Sequence, residues 1–310
     1  MISLRRHVIT LVAVFLALGV GVVLGSTSVA TSIRDAVVER EETTATRLEA
    51  AQDDLATRRL AADRLDSLAG DLTPAVVDGL LDGRPVLTIV APGASDEDVT
   101  AARAVIGAAG GIDAGRVTLT DKAVDPESDA ELQALVANLP IGTAPAADAD
   151  LGTQLGTALG RAALLRAEDA KPHLEDGERD TVLTTLADAE VIRFEPGTLR
   201  PGQLALIVTG PQEQESTAVR VAALARTLDT EGAGAVVSVG PGDSDGRDAV
   251  GVLRSSGEED VSTVDGAGTD AGRLAIVLAL AEQLARGQGH YGVGADATAA
   301  APSLPPAAER

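Results

Sequence analysis

The chain has no cysteine and no tryptophan, a single methionine at position 1, and three aromatic residues in 310: Phe15, Phe194 and Tyr291. The missing cysteines exclude disulfides, thiolate metal sites, iron–sulfur clusters and thiol catalysis. The missing aromatics remove the stacking platforms that single-stranded nucleic acid uses. Lysine is also scarce, with Lys122 and Lys171 the only two, and no G-x-x-x-x-G-K-[ST] phosphate loop occurs. Acid dominates: 47 Asp and Glu face 25 Lys and Arg, a formal charge of −22. A surface of that sign repels phosphate backbones, so nucleic acid is not an expected partner. Hydrophobic residues make up 45% of the chain, enough for a core, which must be built from Val, Leu, Ile and Ala.

The acid is unevenly placed. No Asp or Glu precedes Asp35, whereas Arg5, Arg6 and Arg34 lie before it; the remainder carries all 47 acids against 22 bases, a charge of −25. Val8–Gly25 is an uncharged run of 18 residues. As a helix it would be about 27 Å long, close to the hydrocarbon thickness of a bilayer. With Arg5 and Arg6 just before it, the positive-inside rule puts the N-terminus in the cytoplasm and the acidic bulk outside. A cleaved signal peptide ending at Ser28-Val29-Ala30 is the alternative to a retained signal anchor. The apolar run exceeds the roughly 7–15 residues of a signal-peptide core, which favours the anchor. Gly21 and Gly25 form a G-x-x-x-G, a possible dimerisation face, although glycine is common in membrane helices anyway.

Residues 31–75 read as a helical stalk. From 33 to 72 there is no Pro, and Gly70 is the only Gly. Leu48, Leu55 and Ala62 recur at seven-residue spacing, and Val37, Thr44, Ala51, Arg58, Leu65 and Leu72 form a second row. These rows resemble the a and d positions of a coiled coil, with Thr44 and Arg58 as poor occupants. A single solvated helix is the alternative. Thr73-Pro74 predicts the start of a separate short helix, ended by Gly83.

Residues 76–294 change pattern. Short apolar runs, Val86–Val90, Val117–Thr120, Leu204–Val208, Ala235–Val239 and Val261–Val264, read as buried strands. Between them, helices are expected over 96–109, around Leu132–Leu139, and over 151–166, 178–189, 213–229, 248–254 and 269–286. This alternation predicts an α/β domain with a mainly parallel, helix-covered sheet. It does not predict a membrane barrel, whose strands run about ten residues and alternate apolar with polar. Residues 295–310, rich in Ala and Pro, read as a disordered tail.

Chemistry-bearing motifs are few. Gly242-Asp-Ser244-Asp-Gly246 fits G-x-S-x-G, with Asp265 and His290 downstream in hydrolase order. Yet Asp243 and Asp245 would oppose an oxyanion, and an acidic surface turn explains the run better. Gly240/Gly242/Gly246 and Gly266/Gly268/Gly272 are each one residue longer than the dinucleotide fingerprint. The acidic clusters at 96–98, 175–178 and 258–260 read as solvated helix starts or loops. His7, His173 and His290 are far apart in sequence.

The N-terminal run Ile2-Ser-Leu-Arg5-Arg6-His7, then Ala13-Val-Phe15-Leu-Ala-Leu18-Gly19 and Gly21-x-x-Leu24-Gly25, resembles the mycobacterial copper transport protein B family. So do Ser262-Thr-Val-Asp265, Ala271-Gly272-Arg273, Ala279-Leu280 and Gly289-His290-Tyr291-Gly292 near the C-terminus. The resemblance implies an actinobacterial cell-envelope protein with one N-terminal membrane helix and a role in copper efflux or homeostasis. It also implies, as an alternative, a coiled-coil scaffold acting with a second protein in cell division and cell separation. It supplies no catalytic residues, and a non-enzyme is expected. Copper enters through the resemblance alone, with His290 the one candidate ligand in a family-like segment. Homo-oligomerisation through the anchor (Arg5, Arg6, Gly21, Gly25) and the stalk (Val37, Leu48, Leu55, Leu65) is the expected association.

Overall fold

The structure is a computed structural model. It describes residues 4–143, 145–146, 148–211, 214–240, 248–257 and 261–304; the side chains of residues 4, 5 and 26–45 lie outside the description. The chain divides into two units, Met1–Arg64 and Leu65–Arg310. The first is helical, part of α1 (Leu4–Val77).

The second unit begins with the rest of α1. The separate helix expected at Thr73-Pro74 is absent: α1 runs through Pro74. Pro74 lies in the last turn, where its missing N–H costs one bond, and the Thr73 hydroxyl donates back to the Ala69 carbonyl at 2.7 Å instead of capping a new helix. The chain then turns through Gly79 and Gly83, both at positive φ.

Then follow β1 (Pro85–Val90), α2 (Asp96–Ala108), β2 (Ile112–Leu119), α3 (Asp121–Val124), α4 (Asp129–Val136), α5 (Leu151–Ala163), α6 (Asp176–Asp188) and β3 (Ile192–Phe194). The second half holds β4 (Leu204–Thr209), α7 (Glu215–Glu231), β5 (Ala235–Val239), α8 (Ala249–Ser255), β6 (Ser262–Asp265), α9 (Asp270–Leu284) and β7 (His290–Tyr291). One seven-stranded sheet has the order β3-β2-β1-β4-β5-β6-β7. All neighbours are parallel except β2 and β3. This is the doubly wound order, whose switch point lies between β1 and β4.

Both sheet faces are covered, which is why the strands read as continuous apolar runs rather than alternating ones. Along β4, Ala205 and Ile207 enter the core beneath α5–α8, while Leu204, Leu206 and Val208 enter the core beneath α2 and α9. Removing a side chain such as Leu206 to Ala costs about 2–5 kcal/mol. Sheet edges are formed by β3 and β7, neither expected as a strand from the sequence.

Residues 295–304, the first part of the expected tail, run beside the sheet edge. The Gly292 N–H donates to the Ala299 carbonyl at 2.9 Å, the Thr298 N–H to the His290 carbonyl at 2.8 Å, and Pro302 is buried. The segment lies along β7, the edge strand, where its backbone groups find partners.

Candidate functional site

The expected association residues lie on α1. Its apolar stretch Arg6–Gly25 is long enough to cross a membrane. A Cβ placed at Gly21 or Gly25 would meet nothing within 4 Å. Leu48, Leu55 and Leu65 are each more than half exposed, as are Leu68 and Leu72. The Arg58 guanidinium, in the middle of the heptad rows, is held by Asp54 at 2.8 Å one turn earlier. The side chains of Arg5 and Val37 lie outside the described residues.

Farther along, α1 belongs to the α/β body. Both Asp66 carboxylate oxygens accept backbone N–H groups of α9, from Asp270 at 3.1 Å and from Ala271 at 2.9 Å. Thr269 caps the same helix through the Gly272 N–H at 3.0 Å. Gly70, one turn beyond Asp66, has Asp270 against it: a Cβ there would stand 2.5 Å from Oδ2. The Gly266/Gly268/Gly272 run is thereby accounted for. A Cβ on Gly272 would lie 1.9 Å from the Gly266 carbonyl oxygen, so glycine permits the tight strand-to-helix turn. The amides at the start of α9 that a phosphate would use are taken by Thr269 and Asp66. No local signal marks Asp66 for this role.

A crevice of about 670 Å³ opens where ligands bind in doubly wound sheets, beyond the carboxyl ends of the strands at the switch point. Pro92 and Gly93 follow β1, Asp121 follows β2, and Pro211 follows β4; Asp125, Glu127 and Gln214 are also on the wall. Two features oppose a dinucleotide there. The Gly93 and Gly210 backbones are pressed together, a Cβ on Gly210 standing 1.8 Å from the Gly93 oxygen, so glycine serves loop-on-loop packing. The first turn of α2 carries Asp96, Glu97 and Asp98, which oppose a pyrophosphate at its N-terminus. The cluster at 175–178 forms a capping box on α6. Residues 258–260 and the G-x-S-x-G at 242–246 lie outside the described residues.

His290 stands on β7. Its Nδ1 is 2.9 Å from the Thr263 hydroxyl, which also accepts from Arg254 Nε at 2.9 Å. Arg254 donates to Asp265 at 2.8 Å and to the Tyr291 carbonyl at 2.7 Å, and both charged side chains are only 3% exposed. Asp265 also accepts the N–H groups of Val293 and Gly294. A buried pair with its remaining valences filled this way fixes geometry: it ties β7 and the Gly292–Gly294 turn to β6. Asp265 thus has a structural use that the hydrolase order did not anticipate. The Tyr291 hydroxyl donates to Glu282 at 2.5 Å, and burial together with that carboxylate pushes the phenol well above its usual range.

Copper, as cargo, finds few donors. Cu(I) favours thiolate, thioether and imidazole, and the sequence offers one methionine and three histidines. His173 has its Nε2 2.8 Å from the Glu231 carbonyl oxygen and its Nδ1 3.5 Å from the Glu231 carboxylate. Among the described residues no three His, Asp or Glu side chains converge on a metal position.

An apolar N-terminal helix, long enough to cross a membrane, followed by a doubly wound α/β body defines a class: an α/β protein whose open sheet is covered on both faces. Known proteins narrow this. The family model described as copper transport outer membrane protein, MctB, matches residues 1–302. Proteins named copper transporter MctB from Mycobacterium tuberculosis (strain ATCC 25618 / H37Rv) and Mycobacterium bovis are each 33% identical over 307 residues, covering 95% of this chain and 97% of the relative. The one from Mycobacterium leprae (strain TN) is 33% identical over 311 residues, covering 96% and 98%. The chain belongs to the MctB family, a copper-transport type of envelope protein by the family's description. None of these names refers to cell division or to a catalysed reaction, and the cell-separation alternative gains nothing from them.

Proposed function

We propose that this protein serves copper transport or homeostasis at the cell envelope as a membrane-anchored, self-associating component that does not carry the metal on its own α/β body. The observation behind the copper role is the match to MctB proteins over nearly the whole of both chains, apolar helix included. The absence of cysteine and of any second methionine argues against the body as a Cu(I) carrier. In this reading α1 is a signal anchor with the N-terminus, Arg5 and Arg6 on the cytoplasmic side. The open sheet, with edges at β3 and β7 and both faces covered, suits a water-exposed body rather than a barrel wall.

Self-association would use α1. With Leu48, Leu55, Ala62 and Ala69 at a positions and Ala51, Arg58, Leu65 and Leu72 at d positions, a parallel pair places Asp54 of one helix opposite Arg59 of the other at g and e. A further envelope protein is the other partner this surface would fit; nucleic acid is not.

A deletion strain tests the copper role. Heightened copper sensitivity, restored by the intact gene and not by one carrying Leu55→Lys and Leu65→Lys, is the expected outcome. Unchanged copper tolerance would remove the role. Copper titration of the full-length protein in detergent is expected to show no binding tighter than millimolar, and a tight site would overturn the non-carrier reading.

A further inference from the structure

An arginine cleft lies on the face of the sheet that carries α2, over β2 and β3, and it is distinct from the acidic switch-point crevice. Strand β3 pairs antiparallel with β2, Thr118 opposite Arg193 and Leu119 opposite Ile192. Ile192 turns to the core beneath α5–α8, as do Val117 and Leu119. Arg193, Thr118 and Arg116 therefore share the other face, within cross-strand reach of one another. Arg103 reaches the same cleft from α2, and the open cleft has a volume of about 540 Å³.

The strand is bent to make this arrangement. The register between β1 and β2 shifts between Val86 and Thr88, where β2 carries an extra residue, and Gly115 there has φ of 105°. A side chain on Gly115 would strike Leu199, its Cβ standing 2.7 Å from Leu199 Cδ2. The bulge breaks the two-residue alternation: Ala114 and Val117, three apart, both enter the core, so Asp113 and Arg116 both line the cleft. Bulges of this kind re-aim side chains.

The arginine side chains are less exposed than the acids that hold them. Arg103 and Arg116 side chains are 33% and 34% exposed, while their partners Asp113 and Asp96 are 59% and 83% exposed. Ion pairs with such open carboxylates hold weakly and can be exchanged. The Nε of Arg103 is buried and makes no hydrogen bond in the structure. Three arginines thus gather beside the Thr118 hydroxyl, with Asp113 and Glu195 as the carboxylates on the same lining.

We propose that this cleft binds a small oxyanion, phosphoryl or carboxylate, which displaces Asp113 and Asp96 from Arg103 and Arg116 and is closed over by Arg193. Guanidinium forks match both groups in bidentate geometry, and the Thr118 hydroxyl supplies a further donor.

The test is calorimetric titration of the full-length protein in detergent with inorganic phosphate and, separately, with malonate, at ionic strength fixed by chloride. A saturable signal from at least one is expected, and which one distinguishes phosphoryl from carboxylate. Arg193→Gln, at an exposed position that does not threaten folding, and Arg116→Gln are each expected to weaken it about tenfold, the effect of one charge-assisted hydrogen bond. Arg286→Gln, which removes the same charge elsewhere, leaves the affinity unchanged. No saturable signal from either anion, unchanged affinity in Arg193→Gln, or equal weakening in Arg286→Gln would overturn the proposal.

Discussion

Gly21 and Gly25 of α1 share a four-residue spacing with Gly152, Gly156 and Gly160 of α5, but not their surroundings. On α5 every glycine is used. A Cβ at Gly152 would stand 2.4 Å from the Arg220 carbonyl oxygen, one at Gly156 would stand 2.7 Å from Thr227 Cβ, and one at Gly160 would stand 2.9 Å from Glu231 Cβ. All three partners belong to α7, so the stripe lets two helix backbones approach closely within one chain. On α1 the same positions meet nothing within 4 Å. Glycine inside a helix costs about 1 kcal/mol relative to alanine, so a stripe of it needs a compensating contact. For α5 the compensation is the close contact with α7. For α1 it would have to come from another helix in the membrane, where small residues at this spacing are a packing surface.

The comparison is broken most forcefully at α5. Gly152→Val adds three carbons, the first of them 2.4 Å from the Arg220 carbonyl oxygen. Overpacking commonly costs about 1–3 kcal/mol, and a clash with backbone rather than with a flexible side chain falls at or above the top of that range. Thermal unfolding of the variant is expected to begin well below that of the parent or to lose cooperativity. A variant that melts with the parent would mean that α5 and α7 can separate freely, and the contrast with α1 would disappear.

Asp66 sharpens the boundary between a filled and an open helix face. Its carboxylate caps α9 from a distance of some two hundred residues in sequence. Asp66→Ala is expected to cost about 1 kcal/mol, the usual loss for a helix N-cap, and to raise hydrogen exchange at Asp270 and Ala271 before the rest of the sheet. Asp66→Asn keeps an acceptor and is expected to retain most of the stability.

These two contacts mark what sequence could and could not deliver. Strands β1, β4 and β5 were legible because burial on both faces leaves uninterrupted runs such as Leu204–Val208. Strand β3 was not, since Ile192-Arg193-Phe194 is too short to carry a period and exists only because β2 is beside it. The stop expected at Thr73-Pro74 failed because a proline in the last turn disturbs little. The α5 stripe has the same four-residue spacing as Gly21 and Gly25, but the spacing does not say that α7 is the helix packed on it. Asp66, like the Arg254–Asp265 pair beneath β7, gives no local sign, because its partner is chosen by the tertiary fold. The site suffers most from this: the arginine cleft depends on a bulge at Gly115 and on an edge strand that sequence pattern does not reveal.

A smaller effect is expected from the exposed pair on α1. Asp54 and Arg58 are four residues apart and open to solvent, a geometry that supports an isolated helix by about 0.3–0.5 kcal/mol. Asp54→Ala should therefore leave the unfolding of the α/β body unchanged and lower the helical signal of α1 slightly, more at low salt than at high. If α1 pairs in parallel as proposed, the same change also removes the partner of Arg59, and self-association falls further than helicity does. Equal, small losses in both would indicate a solitary helix.

Gly21→Leu is expected to have the least effect on the α/β body and is the most pointed test of the comparison. Nothing stands within 4 Å of the position in the single chain, so the added side chain meets no clash, and leucine is the better helix former. Thermal unfolding should be unaltered. Cross-linking of the full-length protein in membranes should fall, because the leucine holds two helices apart at the only contact that would justify glycine there. Undiminished cross-linking would leave Gly21 as an ordinary membrane-helix glycine, and any self-association would then have to reside in the leucine rows from Leu48 to Leu72.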